Sequence, residues 1–168
     1  MQQRGFSLIE LTLAIVVMGI VALTGSQIVS SGIDAYSETK EAVATLNSAI
    51  YTMERLKREI RATWYTGGAY SVVTCTASRY QFTRSDGVIV DIQSAPPLVT
   101  MGYSAPAVSA TLTDQVSTFS FAFYQSDGTA MTLPCSPANL AYVEVSYELV
   151  DDAANYSRRM RIALRGKP

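Results

Sequence analysis

The chain has 168 residues, a formal net charge of −1 and 16% charged side chains, which allows one modest domain beside an anchor and lacks the basic surplus of a dedicated nucleic-acid binder. With no histidine and only two cysteines, it has few ways to build a transition-metal site or a nucleophile–base pair. The composition therefore argues against an enzyme and predicts no cofactor, no metal and no nucleic-acid partner.

Met1 to Gly5 form a short polar leader carrying Arg4, and Leu11 to Ile33 contain no ionisable side chain. A run of roughly 18 or more apolar residues is long enough to cross a bilayer. Glu10 stands at its start. A charge at the centre of a membrane helix costs about 2.5 to 3.5 kcal/mol on insertion scales, so this carboxylate needs a counter-charge. A cut between Gly5 and Phe6 would supply one. The new α-amino group, with a reference pKa of about 7.7 to 8.0, would lie one helical turn from Glu10, or beside the Glu10 of a neighbour shifted along the axis. An ordinary secretory signal has an apolar core of about 7 to 15 residues and an A-x-A cleavage site. Here the run is longer and is followed by Leu23-Thr24-Gly25-Ser26.

The stretch Arg4-Gly5-Phe6-Ser7-Leu8-Ile9-Glu10-Leu11, leading straight into the apolar run, resembles the class III signal of type IV pilins and type II secretion pseudopilins. The resemblance is dense from Arg4 to about Gly19 and is one of architecture alone beyond Ile33. It implies that a prepilin peptidase cuts after Gly5 and methylates the new N-terminus at Phe6. It also implies that Glu10 docks subunits into a growing filament by meeting a neighbour's terminal amine. Major pilins resembling this sequence usually carry a proline in the first part of the helix. This chain has none before Pro96, which favours a minor pilin or minor pseudopilin.

The helical pattern continues past the apolar run and becomes amphipathic. Val43, Leu46, Ile50, Met53, Leu56 or Lys57, Ile60 and Trp64 recur at three- and four-residue steps, predicting one apolar stripe. One helix is expected from about Phe6 to about Trp64, about 90 Å long, ended by Gly67-Gly68. Gly19, Gly25 and Gly32 within it suit close helix packing in a membrane. Arg55, Lys57, Arg58 and Arg61 are interleaved with Glu54 and Glu59, which reads as a solvated helix face rather than a nucleic-acid patch.

A sheet should cover the stripe. Arg79 to Arg84 and Val88 to Ile92 flank Ser85-Asp86-Gly87, the grammar of a hairpin. Ser117 to Gln125 alternates Phe119, Phe121 and Phe123 before Ser126-Asp127-Gly128. Tyr142 to Leu149 puts Val143, Val145, Tyr147 and Leu149 on one face, and Arg158 to Leu164 does so with Met160, Ile162 and Leu164. Those faces are expected on the helix. Their reverse sides carry Glu144 and Glu148 against Arg159, Arg161 and Arg165, a set of cross-strand pairs or a docking patch. Ser94 to Thr113, with Pro96, Pro97 and Pro106, reads as a long irregular connection, and Thr132 to Asn139 as a second.

Cys75 and Cys135 are an even pair in an exported chain and read first as a disulfide, with two unlinked thiols as the alternative. A bond would close a loop of roughly 60 residues, worth about 4 kcal/mol in the chain-entropy model. No C-x-x-C spacing supports a redox pair. Asp127, Asp151 and Asp152 have no calcium-loop spacing and read as turn acids.

The whole predicts an α+β, pilin-like fold: a long N-terminal helix packed on an antiparallel sheet of about four to six strands. Residues 1–5 would be the leader, 6–33 the transmembrane assembly half, 34–66 the amphipathic half and 67–168 a β-rich periplasmic head. The function this implies is a non-enzymatic subunit that assembles into or caps a type IV pilus or type II secretion pseudopilus. It would resemble the J-type minor pseudopilins or the minor pilins of mannose-sensitive haemagglutinin pili. The implied partners are other pilin or pseudopilin subunits, the prepilin peptidase, the assembly platform and the lipid of the bacterial inner membrane. The alternative is a membrane-anchored periplasmic binding or adhesin domain acting outside a filament.

Overall fold

The computed structural model describes residues 7–151 and 154–165, and the chain divides into two compact units, Met1–Val43 and Ala44–Pro168. Helix α1, Leu8–Arg61, begins in the first and ends in the second. Within the first unit every residue from 7 to 41 is exposed, including Leu11, Leu13, Ile15, Val16, Val17, Met18 and Ile20. The helix is long and apolar enough to cross a membrane. Lipid tails are the solvent that such a surface suits, because every backbone polar group is satisfied within the helix.

In the second unit, α1 buries Thr45, Ala49, Thr52, Leu56, Glu59 and Ile60. Leu56 and Ile60 of the predicted stripe are fully buried and Met53 packs against the core, while Thr45, Ala49 and Thr52 turn the buried face away from Val43 and Ile50. Val43 and Ile50 stay 50% exposed and Trp64 42%. Small residues on the buried face let the sheets approach the helix backbone. The Tyr147 hydroxyl donates to the Ala49 carbonyl at 3.3 Å, and the Thr52 hydroxyl donates to the Leu112 carbonyl at 3.2 Å.

The helix stops short of Trp64 because its last amides turn early. Ala62 N donates to Glu59 O at 2.9 Å and Thr63 N to Ile60 O at 3.2 Å, after which Trp64 N bonds Thr83 O. Gly67-Gly68, expected as the helix stop, instead turns a small hairpin between β1, Tyr65–Thr66, and β2, Ala69–Tyr70. Both glycines have positive φ, 60° and 88°, as a two-residue primed turn requires.

Five strands follow as an antiparallel meander: β3 Val72–Cys75, β4 Arg79–Thr83, β5 Ile89–Ala95, β6 Leu98–Ser104 and β7 Ala107–Thr113. A three-stranded antiparallel sheet holds β8 Val116–Tyr124, β9 Tyr142–Asp151 and β10 Ala154–Ala163, with β9 central. The α+β class and antiparallel pairing match expectation. Among the described residues, ten strands in three sheets exceed the predicted number.

The excess lies mainly in residues 94–113, expected to be irregular. Pro96-Pro97 and Pro106 occupy the tips between β5 and β6 and between β6 and β7, where no ladder amide is lost. Between them Val99 and Met101 alternate inward and are buried. The hairpin of β4 and β5 forms as predicted, with Gly87 at φ 82°. After Asp127-Gly128 the chain makes only an isolated bridge, Tyr124 to Ala130, instead of a second hairpin strand.

Tyr80, Phe82, Val90, Ile92, Val99 and Met101 of the larger sheet share one core with Phe119, Phe121, Phe123, Val143, Val145, Tyr147, Leu149 and Ile162 of the smaller. The Tyr80 ring joins the sheets, with centroids 5.4 Å from Phe123 and 6.0 Å from Phe121. Cys75 and Cys135 are bonded as a disulfide, tying the end of β3 to the 132–139 connection.

Candidate assembly site

Gly5 and Phe6, the predicted cleavage and methylation positions, lie outside the described residues. Just beyond them the helix start is defined by two reciprocal bonds. Glu10 N donates to the Ser7 hydroxyl at 3.3 Å, and Ser7 N donates to Glu10 Oε2 at 3.1 Å. This is a capping box, which satisfies two of the amides that a helix N-terminus leaves open. Ser7-Leu8-Ile9-Glu10 carries the S-x-x-E signature of such a box in the sequence itself. Glu10 is thus held by its own helix through Oε2, and a carboxylate in the first turn also opposes the helix dipole.

The basic cluster on α1, expected as one solvated face, is divided in the structure, with Arg55 drawn into the seam between helix and sheet. Glu59 is 5% exposed and is shared by Arg55 and Arg84, each 3.4 Å away. Arg55 also donates to the Tyr103 hydroxyl at 2.6 Å, so it belongs to the seam between helix and sheet. A buried carboxylate is tolerated there because two guanidiniums face it. What remains open is Lys57, Arg58 and Arg61, which with Glu54 and Arg165 line a hollow of 310 Å³.

The expected pairing on the smaller sheet forms around Glu144. Arg161 stands opposite it in register and reaches it at 3.0 Å, while Arg159 lies at 3.6 Å. The Tyr124 hydroxyl donates to Glu144 at 3.2 Å, and the Arg161 guanidinium stacks 3.8 Å above the Tyr124 ring. Glu144 is only 6% exposed. Glu148 faces Ser157 and joins no ion pair among the described residues, and Arg165 lies with the α1 cations instead. No group of three or more His, Cys, Asp or Glu side chains among the described residues is placed to hold a metal ion.

Residues 1–26 match the family model of the prokaryotic N-terminal methylation motif. No curated protein matches the chain. The motif spans the capping box with Glu10 and the first turns of the exposed apolar helix, and it supports reading the chain as a type IV pilin-like prepilin.

Proposed function

We propose that this chain is a minor pilin or minor pseudopilin: a non-enzymatic subunit cut after Gly5, N-methylated at Phe6 and held in the bacterial inner membrane with its β-rich unit in the periplasm. On this reading it joins or caps a type IV pilus or a type II secretion pseudopilus on an inner-membrane assembly platform. The observation that carries it is the capped acid Glu10 at the head of an uncovered apolar helix, inside the methylation motif. The capping box uses Oε2, and Oε1 is the oxygen a neighbour's terminal amine would meet.

Intact-protein mass spectrometry tests the processing. The mature chain is expected to begin at N-methylated Phe6, and a retained leader or a cut beyond Leu23 overturns the reading. Glu10→Ala should impair incorporation into filaments while membrane insertion survives; normal assembly of that variant removes the docking role.

A further inference from the structure

On α1, Gln27, Ser31, Asp34, Glu38 and Glu41 recur at steps of four and three residues, which aligns them as one polar stripe ending in three acids. All five are exposed, and Lys40 falls off the stripe. In the second unit, Ile50, Glu54, Lys57, Arg58 and Arg61 recur in the same way along another stripe, and Arg165 adds a fourth cation beside the 310 Å³ hollow. Glu54 is the one acid lining the hollow, and neither patch forms an ion pair among the described residues. Among the described residues, the ion pairs involve Arg55, Glu59, Arg79, Arg84, Asp86, Asp91, Glu144, Arg159 and Arg161 only.

Two different, complementary patches on one chain are what a head-to-tail contact needs, and repetition of such a contact gives an open filament rather than a closed dimer. We propose that the acidic stripe Asp34, Glu38 and Glu41 of one copy docks on the basic hollow of Lys57, Arg58, Arg61 and Arg165 of a second copy. The inference rests on the subunit reading above and sets its neighbour and its register. Copies packed side by side in a filament run parallel, and an axial shift of about 35 Å, out of the bilayer's register, brings Asp34 and Glu38 of one level with Lys57 and Arg61 of the next. Ile50, on the basic stripe and half exposed, adds apolar area to the contact. Charge complementarity of this kind fixes register and partner more than it adds affinity. It therefore places copies of this chain next to one another in the filament instead of singly at its tip.

A zero-length carbodiimide, which couples carboxylates to amines that are already in contact, tests the pairing on the full processed chain in assembled filaments. Cross-linked copies are expected, with Lys57 joined to Asp34 or Glu38 in the mapped peptides. The triple reversals K57E/R58E/R61E and D34K/E38K/E41K should each lower the yield of joined copies about tenfold. Combined in one chain they should restore it, which a merely misfolded variant would not do. Yields unchanged by either reversal, links mapping elsewhere, or a failure of the combined variant to recover overturn the pairing. Links formed only to a different subunit overturn the second copy as occupant. A wild-type chain not cut after Gly5 sinks the subunit reading itself, an outcome that mass spectrometry separates from the others.

Discussion

At the scale of residues, the second unit is held by polar groups placed where a pattern of apolar positions does not look for them. Tyr80 is fully buried and shares a hydrogen bond with Thr63 at 3.2 Å. Burial pushes its phenol well above the ordinary tyrosine range, against the opposing effect of the Thr63 bond. The folded state therefore holds this proton more tightly than the unfolded one, so the contribution is fully present below the unfolded pKa of about 10 and is lost as pH rises beyond it. In an alkaline absorbance titration, Tyr80 should ionise only as the fold opens, so Tyr80→Phe should remove absorbance from the unfolding step alone. Ionisation of Tyr80 without unfolding would contradict its burial.

At the scale of elements, α1 presents Thr45, Ala49 and Thr52 to the sheets beside the fully buried Leu56 and Ile60, and leaves Val43 and Ile50 half exposed. Ala49 is 3% exposed beneath the Tyr147 hydroxyl, and a larger side chain there must push the helix away. Ala49→Leu should cost about 1 to 3 kcal/mol by overpacking. Ile50→Ala, one position along and half exposed, should fall within about 0.5 kcal/mol, as surface substitutions do. Denaturant melts of the full chain in detergent decide between the two phases. A larger loss at Ile50 than at Ala49 would restore the stripe that periodicity predicts. Leu56, fully buried on the same face, should lose about 2 to 5 kcal/mol as Leu56→Ala.

At the scale of the whole molecule, long-range closure falls to the Cys75–Cys135 bond, which joins positions 60 residues apart. The loop it closes takes in β4 to β8, so its loss frees most of the five-stranded meander in the unfolded ensemble. The double variant C75S/C135S should lose about 4 kcal/mol by the chain-entropy model, a large share of the 5 to 15 kcal/mol typical of a domain. Reduction of the wild-type chain should produce a similar fall in melting temperature. Full reaction of both thiols with an alkylating agent before any reductant is added would remove the bond from the account.

The sequence by itself determined the features that depend on neighbouring residues. The methylation motif and the apolar run were legible because each is written in a contiguous stretch of residues. The β4–β5 hairpin was legible because Asp86-Gly87 sets its own turn, and β8, β9 and β10 because each alternates with period two. Only the tertiary structure decided which face of α1 is buried. Apolar periodicity favours the larger side chains, whereas close approach of two sheets selects the smaller Thr45, Ala49 and Thr52. The same holds for β6 and β7, whose prolines look like breakers in sequence and sit at hairpin tips in space, and for Glu59 and Glu144, whose partners lie across the fold.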